Sequence, residues 1–216
     1  MKLLNSFGPN PRIVRMFLAE KGITLARQDF DLMAGENRKP PYTDQNPAGT
    51  TPALELDDGR VIGETIAICE YLEERHPTPV LVGSNAEARA EHRMWQRRVE
   101  LNITELMFHG FRFAEGYELF KNRVHCVPEA APGLKVGAQK WLAKLDGLMA
   151  GKPFITGDDF RLVDIALYCT LDFVKDLGQP IPAELKNINA WFARVDGRPS
   201  AQSSLSPGWE QVKMRG

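Results

Sequence analysis

The chain has 216 residues, 43% of them hydrophobic, and its 27 lysines and arginines nearly balance 28 aspartates and glutamates, giving a formal net charge of -1. This length and apolar fraction suffice for one large or two small globular domains with a sizeable core. The near-neutral charge offers no general attraction to nucleic acid or anionic membranes, so we expect neither as a partner.

Three cysteines, Cys69, Cys126 and Cys169, lie far apart and fit neither a disulfide framework nor a zinc-ligand spacing. We therefore expect no bound metal, and we expect Cys69 and Cys169 to be small buried hydrophobic residues. We expect neither a signal peptide nor a transmembrane helix, because no apolar run is long enough for either. A cytoplasmic location fits this pattern best.

The secondary-structure pattern changes near residue 80. Residues 1–79 alternate short strand-like and helical runs, whereas residues 86–216 show a helical pattern almost throughout. Residues 80–85 lie at the end of a stretch containing two prolines and a glycine, and they are the expected linker. The sequence thus predicts an α/β domain followed by an all-helical domain.

The first predicted elements are a strand, a helix and a second strand. Lys2–Ser6 is the strand, and the stretch PNPRIVRMFLAEKGI carries the signals of a helix. Asn10 suits the N-cap, Pro11 the first helical position and Gly22 the end of the helix. Residues 25–32 alternate in polarity as a strand does.

A β-hairpin and a helix complete the first domain. PALEL and RVI are alternating runs on either side of Asp58-Gly59, which is a strong hairpin signal, and ETIAICEYLEERH is a helical pattern. The resulting order of strand, helix, strand, crossover, strand, strand and helix is thioredoxin-like. Apolar spacing in the second domain predicts a helical bundle, with helices near Ala86–Phe120, Leu134–Met149, Leu162–Leu177 and Pro182–Val195.

Four residues of the hairpin region, Thr51, Pro52, Glu64 and Thr65, define a candidate ligand site. Pro52 begins a strand, and a cis Thr51–Pro52 bond turns the Thr51 N–H and C=O outward, where an extended peptide can pair with them. Glu64 and Thr65 open a helix, whose unpaired N–H groups and dipole favour a carboxylate. The Glu64 carboxylate can accept a hydrogen bond from an ammonium group. An amino-acid end joined to an extended backbone is the outline of glutathione.

The motifs EKGI, NPAGTTPALEL, GETIAICEYLEE and FITGDDFRLVDIAL resemble those of the cytosolic glutathione transferase family, over nearly the whole chain. The resemblance implies a thioredoxin-like domain, an all-helical domain, a homodimer, and glutathione as co-substrate without another cofactor. It implies that Thr51-Pro52 pairs with the glutathione backbone and that Glu64-Thr65 holds the γ-glutamyl end. Lys39, with Arg38, is expected to meet the glycine carboxylate. The alternatives are a plain turn, a plain helix start and solvated loop cations.

The residue that many relatives place beside the glutathione sulfur is missing. Leu4 and Gly8 stand where tyrosine, serine or cysteine is expected, and neither side chain donates a hydrogen bond. The loop GPNP is similar to that of the bacterial nu-type transferases, which makes Asn10 the first candidate for activating the thiol, unless it only caps the helix. Ser6 is the second candidate, and main-chain N–H groups are the third.

The helical domain is expected to supply the walls of a second-substrate pocket. The stretch ELMFHGFRFAEGY offers Phe108, Phe111 and Arg112, which either line this pocket or belong to the core. His109 is either an acid or base or a structural residue. Asp164 can cap the helix that follows Arg161, although the usual Ser or Thr of a capping box is absent.

These residues predict an enzyme that conjugates glutathione to a small hydrophobic electrophile. Glutathione-dependent reduction of a small disulfide is the first alternative, suggested by the Asn-type loop. A non-catalytic binding or assembly module that has kept the fold is the second alternative, because Leu4 and Gly8 replace the usual donors.

Overall fold

The structure is a computed structural model that describes residues 1–212 and 215–216, with the side chains of Gln211 and Val212 left aside. The chain divides into two compact units, Met1–Leu81 with Pro199–Gly216, and Val82–Arg198. The predicted helical domain, residues 86–216, differs from the second unit at its end, because residues 199–216 pack with the first unit.

A four-stranded sheet forms the centre of the first unit. Its strands are β1 (Lys2–Ser6), β2 (Ala26–Phe30), β3 (Ala53–Glu55) and β4 (Val61–Ile62). Their order across the sheet is β2-β1-β3-β4. Strand β1 runs parallel to β2 and antiparallel to β3, and β4 is antiparallel to β3. The predicted thioredoxin-like arrangement is confirmed.

Three helices of the first unit are α1 (Pro9–Lys21), α2 (Tyr42–Gln45) and α3 (Thr65–Arg75). Helix α1 begins two residues earlier than predicted, since Gly8 is its N-cap and Pro9 its first residue. The prediction that Asn10 caps this helix is therefore wrong. Both Pro9 and Pro11 suit a first helical position, so the sequence does not distinguish them. The predicted end is confirmed, with Gly22 in the left-handed conformation at φ 64°.

The sheet has apolar side chains on both faces. Leu4 pairs with Ala53, and both pack with Tyr42 in one buried cluster. The neighbouring pair, Leu3 and Leu54, is also buried and faces the opposite side because successive strand residues alternate. Burial of both faces fixes the register, since a one-residue slip would exchange the two sets.

The predicted hairpin turn is present between β3 and β4. Leu56 N–H donates to the Arg60 carbonyl at 2.8 Å, and Gly59 adopts φ 84°. The Asp58 carboxylate accepts from the Arg60 N–H at 3.0 Å. This turn sets the β3–β4 register, with Leu54 opposite Ile62.

The remaining helices are α4 (Ala86–Val99), α5 (Glu105–Arg112), α6 (Tyr117–Phe120), α7 (Ala131–Leu148), α8 (Leu162–Val174), α9 (Lys186–Asp196), α10 (Pro199–Ser203) and α11 (Trp209–Val212). The single helix predicted over 86–120 is interrupted by a π-helical turn at Glu100–Thr104 and ends at Arg112 before α6 begins. The short helices α2, α10 and α11 were not predicted. Among the described residues, no helix has the length and apolarity needed to cross a membrane.

A buried carboxylate organises the start of α8. Asp164 accepts from the main-chain N–H of Arg161 at 2.9 Å, which confirms the predicted capping contact. It also accepts from the Ile155 N–H at 3.0 Å and from the Trp191 indole N–H at 2.8 Å. Burial raises the pKa of Asp164 to about 6, and the three hydrogen bonds oppose this rise.

Candidate active site

The end of the sheet nearest Ser6 brings the first group of predicted site residues together. Strand β1 pairs with β3 so that Leu4 lies opposite Ala53, and the same register continued places Ser6 opposite Thr51. The hydroxyls of Ser6 and Thr51 are indeed hydrogen-bonded at 2.6 Å. Strand β3 pairs with β4 at Leu54, and that register continued places the Thr51-Pro52 end of β3 opposite Glu64-Thr65.

Thr51 presents main-chain groups at this end of the sheet. The Thr51–Pro52 peptide bond is cis, as predicted, and Pro52 is buried. In the part of the chain that the structure describes, neither the N–H nor the C=O of Thr51 has a hydrogen-bond partner. The hydrogen-bonding edge on which the predicted peptide pairing depends is therefore available.

Buried polar side chains hold the loop before Thr51. The Thr50 carbonyl accepts hydrogen bonds from the Tyr42 hydroxyl and from Asn46 Nδ2, the latter at 2.8 Å. The Gly49 carbonyl accepts from Asn37 Nδ2 at 2.6 Å. Burial raises the pKa of Tyr42, against smaller lowering effects of the Asn46 hydrogen bond and of Arg38, so the phenol stays protonated and able to donate.

Sequence reasoning missed these three loop anchors, Asn37, Tyr42 and Asn46. The available signal was the four-residue spacing of Tyr42 and Asn46, which places them on one side of a helical turn. That signal is obscured because α2 has only four residues, Tyr42–Gln45.

Glu64 has an unusual backbone conformation at the start of α3. It lies at φ 64°, ψ 120°, and it is the one non-glycine residue with positive φ among the residues described. Its carbonyl accepts from the Ile68 N–H at 3.0 Å, so Glu64 is the N-cap of the helix. Its side chain is exposed and makes no hydrogen bond or ion pair within the described residues. Backbone strain of this kind is concentrated at binding and catalytic sites.

The first turn of α3 supplies N–H donors beside Glu64. Thr65 is the first residue of the helix and is only 9% exposed. The N–H groups of the first helical residues lack partners within the helix, and the helix dipole adds partial positive charge there. A carboxylate can accept from these groups while an ammonium group meets Glu64.

The loop between β1 and α1 holds Gly8 in a conformation that disfavours any side chain at this position. Gly8 lies at φ 127°, ψ 166°, a region that residues with a side chain rarely adopt. Leu4 is fully buried in the cluster with Tyr42 and Ala53. Neither side chain can therefore donate a hydrogen bond to a sulfur, as the sequence indicated.

Asn10 is the second residue of α1. Pro9 and Pro11 have no N–H, and the Arg12 N–H is already bonded to the Gly8 carbonyl at 3.2 Å. Asn10 therefore provides the one unbonded N–H of the first turn, and within the described residues its half-buried side-chain amide has no partner either. Both donors, the main-chain N–H and the side-chain NH2, are therefore available for a ligand.

Ser6 is more constrained than Asn10. It is 2% exposed, and its hydroxyl lies 2.6 Å from the Thr51 hydroxyl and 3.1 Å from the Phe7 carbonyl. A hydroxyl has one proton to donate. The Ser6 hydroxyl can therefore donate a hydrogen bond to a sulfur only if it loses one of these two contacts.

The loop cations Arg38 and Lys39 are both exposed. The Arg38 Nη1 lies 3.5 Å from the Ala48 carbonyl, whereas the Lys39 ammonium has no partner among the described residues. The Lys39 carbonyl accepts from the Tyr42 N–H at 3.1 Å, so its backbone is fixed while its side chain is not.

Phe108, Phe111 and Arg112 come together in the second unit. Phe108 and Phe111 are 3% and 8% exposed, and their rings pack edge-on against Phe173 at 6.5 and 5.3 Å. The Arg112 guanidinium lies 5.7 Å from the Phe108 ring centre. Both phenylalanines thus belong to the core of this unit, which was the alternative reading of their pattern. A pocket lined by these three residues stays a prediction.

His109 is a partly exposed residue of α5 whose Nδ1 lies 2.8 Å from the Glu105 carbonyl. Cys69 and Cys169 are fully buried, as predicted. No cluster of three or more metal-binding side chains occurs within residues 1–212 and 215–216.

Comparisons with known proteins agree with this arrangement. The profile for "Glutathione S-transferase, N-terminal domain" matches residues 7–75, and that for "Glutathione S-transferase, C-terminal domain" matches residues 128–194. Glutathione S-transferase 2 of Saccharomyces cerevisiae is 31% identical over 205 residues, which cover 92% of this chain and 86% of that protein.

Solved structures give the same result. Gtt2 from Saccharomyces cerevisiae has a TM-score of 0.88 at 30% identity, covering 95% of this chain and 100% of that one. A glutathione S-transferase domain-containing protein of Marinobacter aquaeolei VT8 has a TM-score of 0.86 at 36% identity, covering 93% and 99%.

A thioredoxin-like unit that is joined to a helical unit and carries a cis-proline at the end of its sheet defines the class of protein. Within that class, the chain belongs to the glutathione S-transferase family.

Proposed function

We propose that this protein conjugates the glutathione thiolate to small apolar electrophiles. The observation that carries the proposal is the unpartnered Thr51 main chain beside the cis-proline, at the same end of the sheet as Glu64 and Thr65. A peptide backbone can pair with Thr51 there while its amino-acid end lies at the start of α3.

Each part of glutathione has a matching group. The γ-glutamyl ammonium donates to Glu64, and its α-carboxylate accepts from the N–H groups at Thr65. The cysteinyl main chain pairs with Thr51, in the manner of an added strand. The glycine carboxylate meets Lys39, whose side chain has no partner among the described residues.

Asn10 is the residue we assign to the sulfur, with Ser6 second. The N–H and side-chain amide of Asn10 are both unbonded at the positive end of α1, and both can donate to a thiolate. Ser6 would have to exchange an existing hydrogen bond. The thiolate then attacks the electrophilic carbon, forms an S–C bond and displaces a leaving group such as chloride.

The ordinary pKa of a thiol indicates how far the pKa of the glutathione thiol has to be lowered. A thiol of pKa about 8.5 is roughly 3% ionised at pH 7, and lowering the pKa by about 2 makes it roughly 75% ionised, for about 2.7 kcal/mol of stabilisation. Nucleophilicity falls with pKa, which leaves a net gain of about threefold. Orientation of the two substrates contributes more, so weak amide donors are sufficient.

Glutathione-dependent reduction of small disulfides is the second candidate. It is favoured by the two unbonded amide donors of Asn10, which can stabilise a thiolate, while glutathione itself supplies both sulfurs. A homodimer and a cytoplasmic location complete the proposal. The location is supported by the three cysteines, which are all free thiols.

Calorimetric titration with glutathione, followed by assays with 1-chloro-2,4-dinitrobenzene and with 2-hydroxyethyl disulfide, tests the proposal. We expect binding and activity with the first substrate. Activity with the disulfide alone would favour the second candidate. Binding with neither activity would favour a non-catalytic module, and absence of binding would refute the proposed site.

The role of Asn10 is tested by Asn10→Ala. We expect a higher pKa of the bound thiol, measured by thiolate absorbance against pH, and a rate several-fold lower. The main-chain N–H survives this substitution, so activity should not vanish. Ser6→Ala is the matched comparison, and an effect confined to Ser6→Ala would transfer the role to Ser6.

A further inference from the structure

Two arginines of α1 bind the C-terminal segment, Pro199–Gly216, to the first unit. Arg12 is 0% exposed and Arg15 is 8% exposed. Buried guanidinium groups need acceptors for their donors. The described residues of the segment supply several of them, so the segment is held by charge-assisted hydrogen bonds as well as by apolar contact.

Arg12 donates three hydrogen bonds to residues of the C-terminal segment. Its Nε donates to Ser204 Oγ at 3.3 Å, its Nη2 to the Ala201 carbonyl at 3.0 Å and its Nη1 to the Arg215 carbonyl at 3.0 Å. Arg12 thus joins α10 and a residue near the end of the segment to the first turn of α1.

Arg15 instead bridges the C-terminal segment and β1. On one side its Nε donates to the Ser204 carbonyl and its Nη2 to Ser206 Oγ, both at 2.8 Å. On the other side its Nη1 donates to Asn5 Oδ1 at 2.8 Å and to the Ser6 carbonyl at 3.1 Å. One planar group therefore fixes two chain segments relative to each other.

This bridge leads directly to the proposed glutathione site. Ser6, which accepts from Arg15 through its carbonyl, is also hydrogen-bonded to Thr51 through its hydroxyl at 2.6 Å. Gly216 packs against the same loop, since a methyl group on Gly216 would lie 2.9 Å from the Gly8 Cα. The Gly216 carbonyl accepts from the Ser206 N–H at 3.0 Å. The segment thus contacts the Gly8 end of this loop directly and reaches the Ser6 end through Arg15.

We propose that Arg15 is a positioning residue for glutathione and that the C-terminal segment is a structural part of the glutathione site. Arg15 and Ser206 hold the end of β1, and through it Ser6 and Thr51, in the geometry that accepts the tripeptide. This inference rests on the proposed function. It adds two residues that touch no substrate, Arg15 and Ser206, which are 191 positions apart in the sequence and act on the loop through each other.

Three variants test the proposal with graded severity. Arg15→Gln removes the charge and most of the donors, Arg15→Lys keeps the charge without the planar fork, and Ser206→Ala removes a single acceptor. Glu73→Gln is the matched control because Glu73 of α3 is also buried, and its carboxylate pairs with Lys21, which belongs to α1 as Arg15 does. The measurements are the glutathione Kd by calorimetry, the pKa of the bound thiol, and kcat and KM for glutathione.

We expect glutathione to bind about tenfold more weakly to Arg15→Gln, two- to fivefold more weakly to Ser206→Ala, and with an intermediate affinity to Arg15→Lys. The KM for glutathione should rise in the same order. Glu73→Gln should keep the wild-type Kd at a temperature where all variants are folded, even if its melting temperature falls. Should Arg15→Gln not fold, the other two variants decide the result.

The outcomes are distinguishable. Wild-type protein that binds no glutathione would overturn both the proposed function and this proposal. Wild-type binding that is unchanged in Arg15→Lys and Ser206→Ala would overturn this proposal alone, because the segment would then contribute only to stability. Equal losses of glutathione affinity in these variants and in Glu73→Gln would also overturn this proposal alone.

Discussion

At the scale of single residues, Glu64 combines an exposed carboxylate with a backbone conformation that only glycine adopts readily. Such a conformation costs about 1 to 3 kcal/mol in a non-glycine residue. The fold gains no cap from the side chain, since none of its atoms bonds to the helix. The proposed contact with the γ-glutamyl ammonium group would give this carboxylate a role.

Two substitutions distinguish the effect of the Glu64 carboxylate on binding from the effect of the backbone strain on stability. Glu64→Ala should weaken glutathione binding by about 1 to 3 kcal/mol, through loss of a charged hydrogen bond, and leave the strain in place. Glu64→Gly should weaken glutathione binding by the same amount. Its free energy of unfolding should exceed that of Glu64→Ala by about 1 kcal/mol, because glycine adopts this conformation without strain. Calorimetry and urea denaturation measure the two effects. Unchanged glutathione affinity in both variants would remove Glu64 from the site.

At the scale of elements, the start of α8 depends on Asp164. The carboxylate is buried and accepts three hydrogen bonds, from Ile155, Arg161 and Trp191. Because burial raises its pKa from 3.8 to about 6, the folded state holds a proton more tightly than the unfolded state. The stabilisation linked to that proton is complete below about pH 3.8 and is lost as the pH rises through about 6.

The expected pH dependence is tested by comparison with Asp164→Asn, which cannot titrate. The free energy of unfolding of the wild type, minus that of the variant, should fall by about 2 to 3 kcal/mol between pH 4 and pH 7. Urea denaturation across this range measures the difference. A flat difference would show that the Asp164 pKa is the same in the folded and unfolded states.

At the scale of the whole molecule, a buried ion pair joins two helices of the first unit, α1 and α3. Lys21, at the end of α1, pairs with Glu73 of α3, and their side chains are 0% and 4% exposed. The Lys21 ammonium also donates to the His76 carbonyl at 2.8 Å, and Glu73 accepts from the Leu81 N–H at 2.9 Å. The ion pair therefore connects α1 and α3 to the residues that follow α3, from His76 to Leu81.

Removal of one partner should be far more damaging than removal of both. Lys21→Met leaves a buried carboxylate without its cation and should lower the free energy of unfolding by about 3 to 5 kcal/mol. The double variant Lys21→Met, Glu73→Leu should recover a large part of this loss. Thermal and urea denaturation provide the comparison. A double variant no more stable than Lys21→Met would contradict the expectation.

Much of the architecture follows from local patterns. The strands β1 to β4 were predicted because alternation and turn residues are local signals, whereas the cis Thr51–Pro52 bond was expected from the family resemblance. The dihedral angles of Glu64 were not, since a sequence that signals a helix start does not specify how the chain enters it. The start of α1 was misjudged because Pro9 and Pro11 satisfy the same rule.

Contacts between residues far apart in the sequence are the other features that could not be predicted. The packing of residues 199–216 on the first unit was not predicted, because its polar partners, Arg12 and Arg15, are separated from it by most of the chain. An arginine in a helical pattern is usually exposed. Nothing in its neighbours along the sequence distinguishes one that is buried.

The conformation of Gly8 limits how this protein can be re-engineered. At φ 127° a serine introduced at this position would strain the chain, so Gly8→Ser would not simply import the hydroxyl chemistry of other transferases. The loop would have to be rebuilt together with the substitution, including the Gly216 contact behind it. If amide groups activate the thiol as we propose, the backbone conformation at Gly8 prevents a single codon change from replacing them with a hydroxyl.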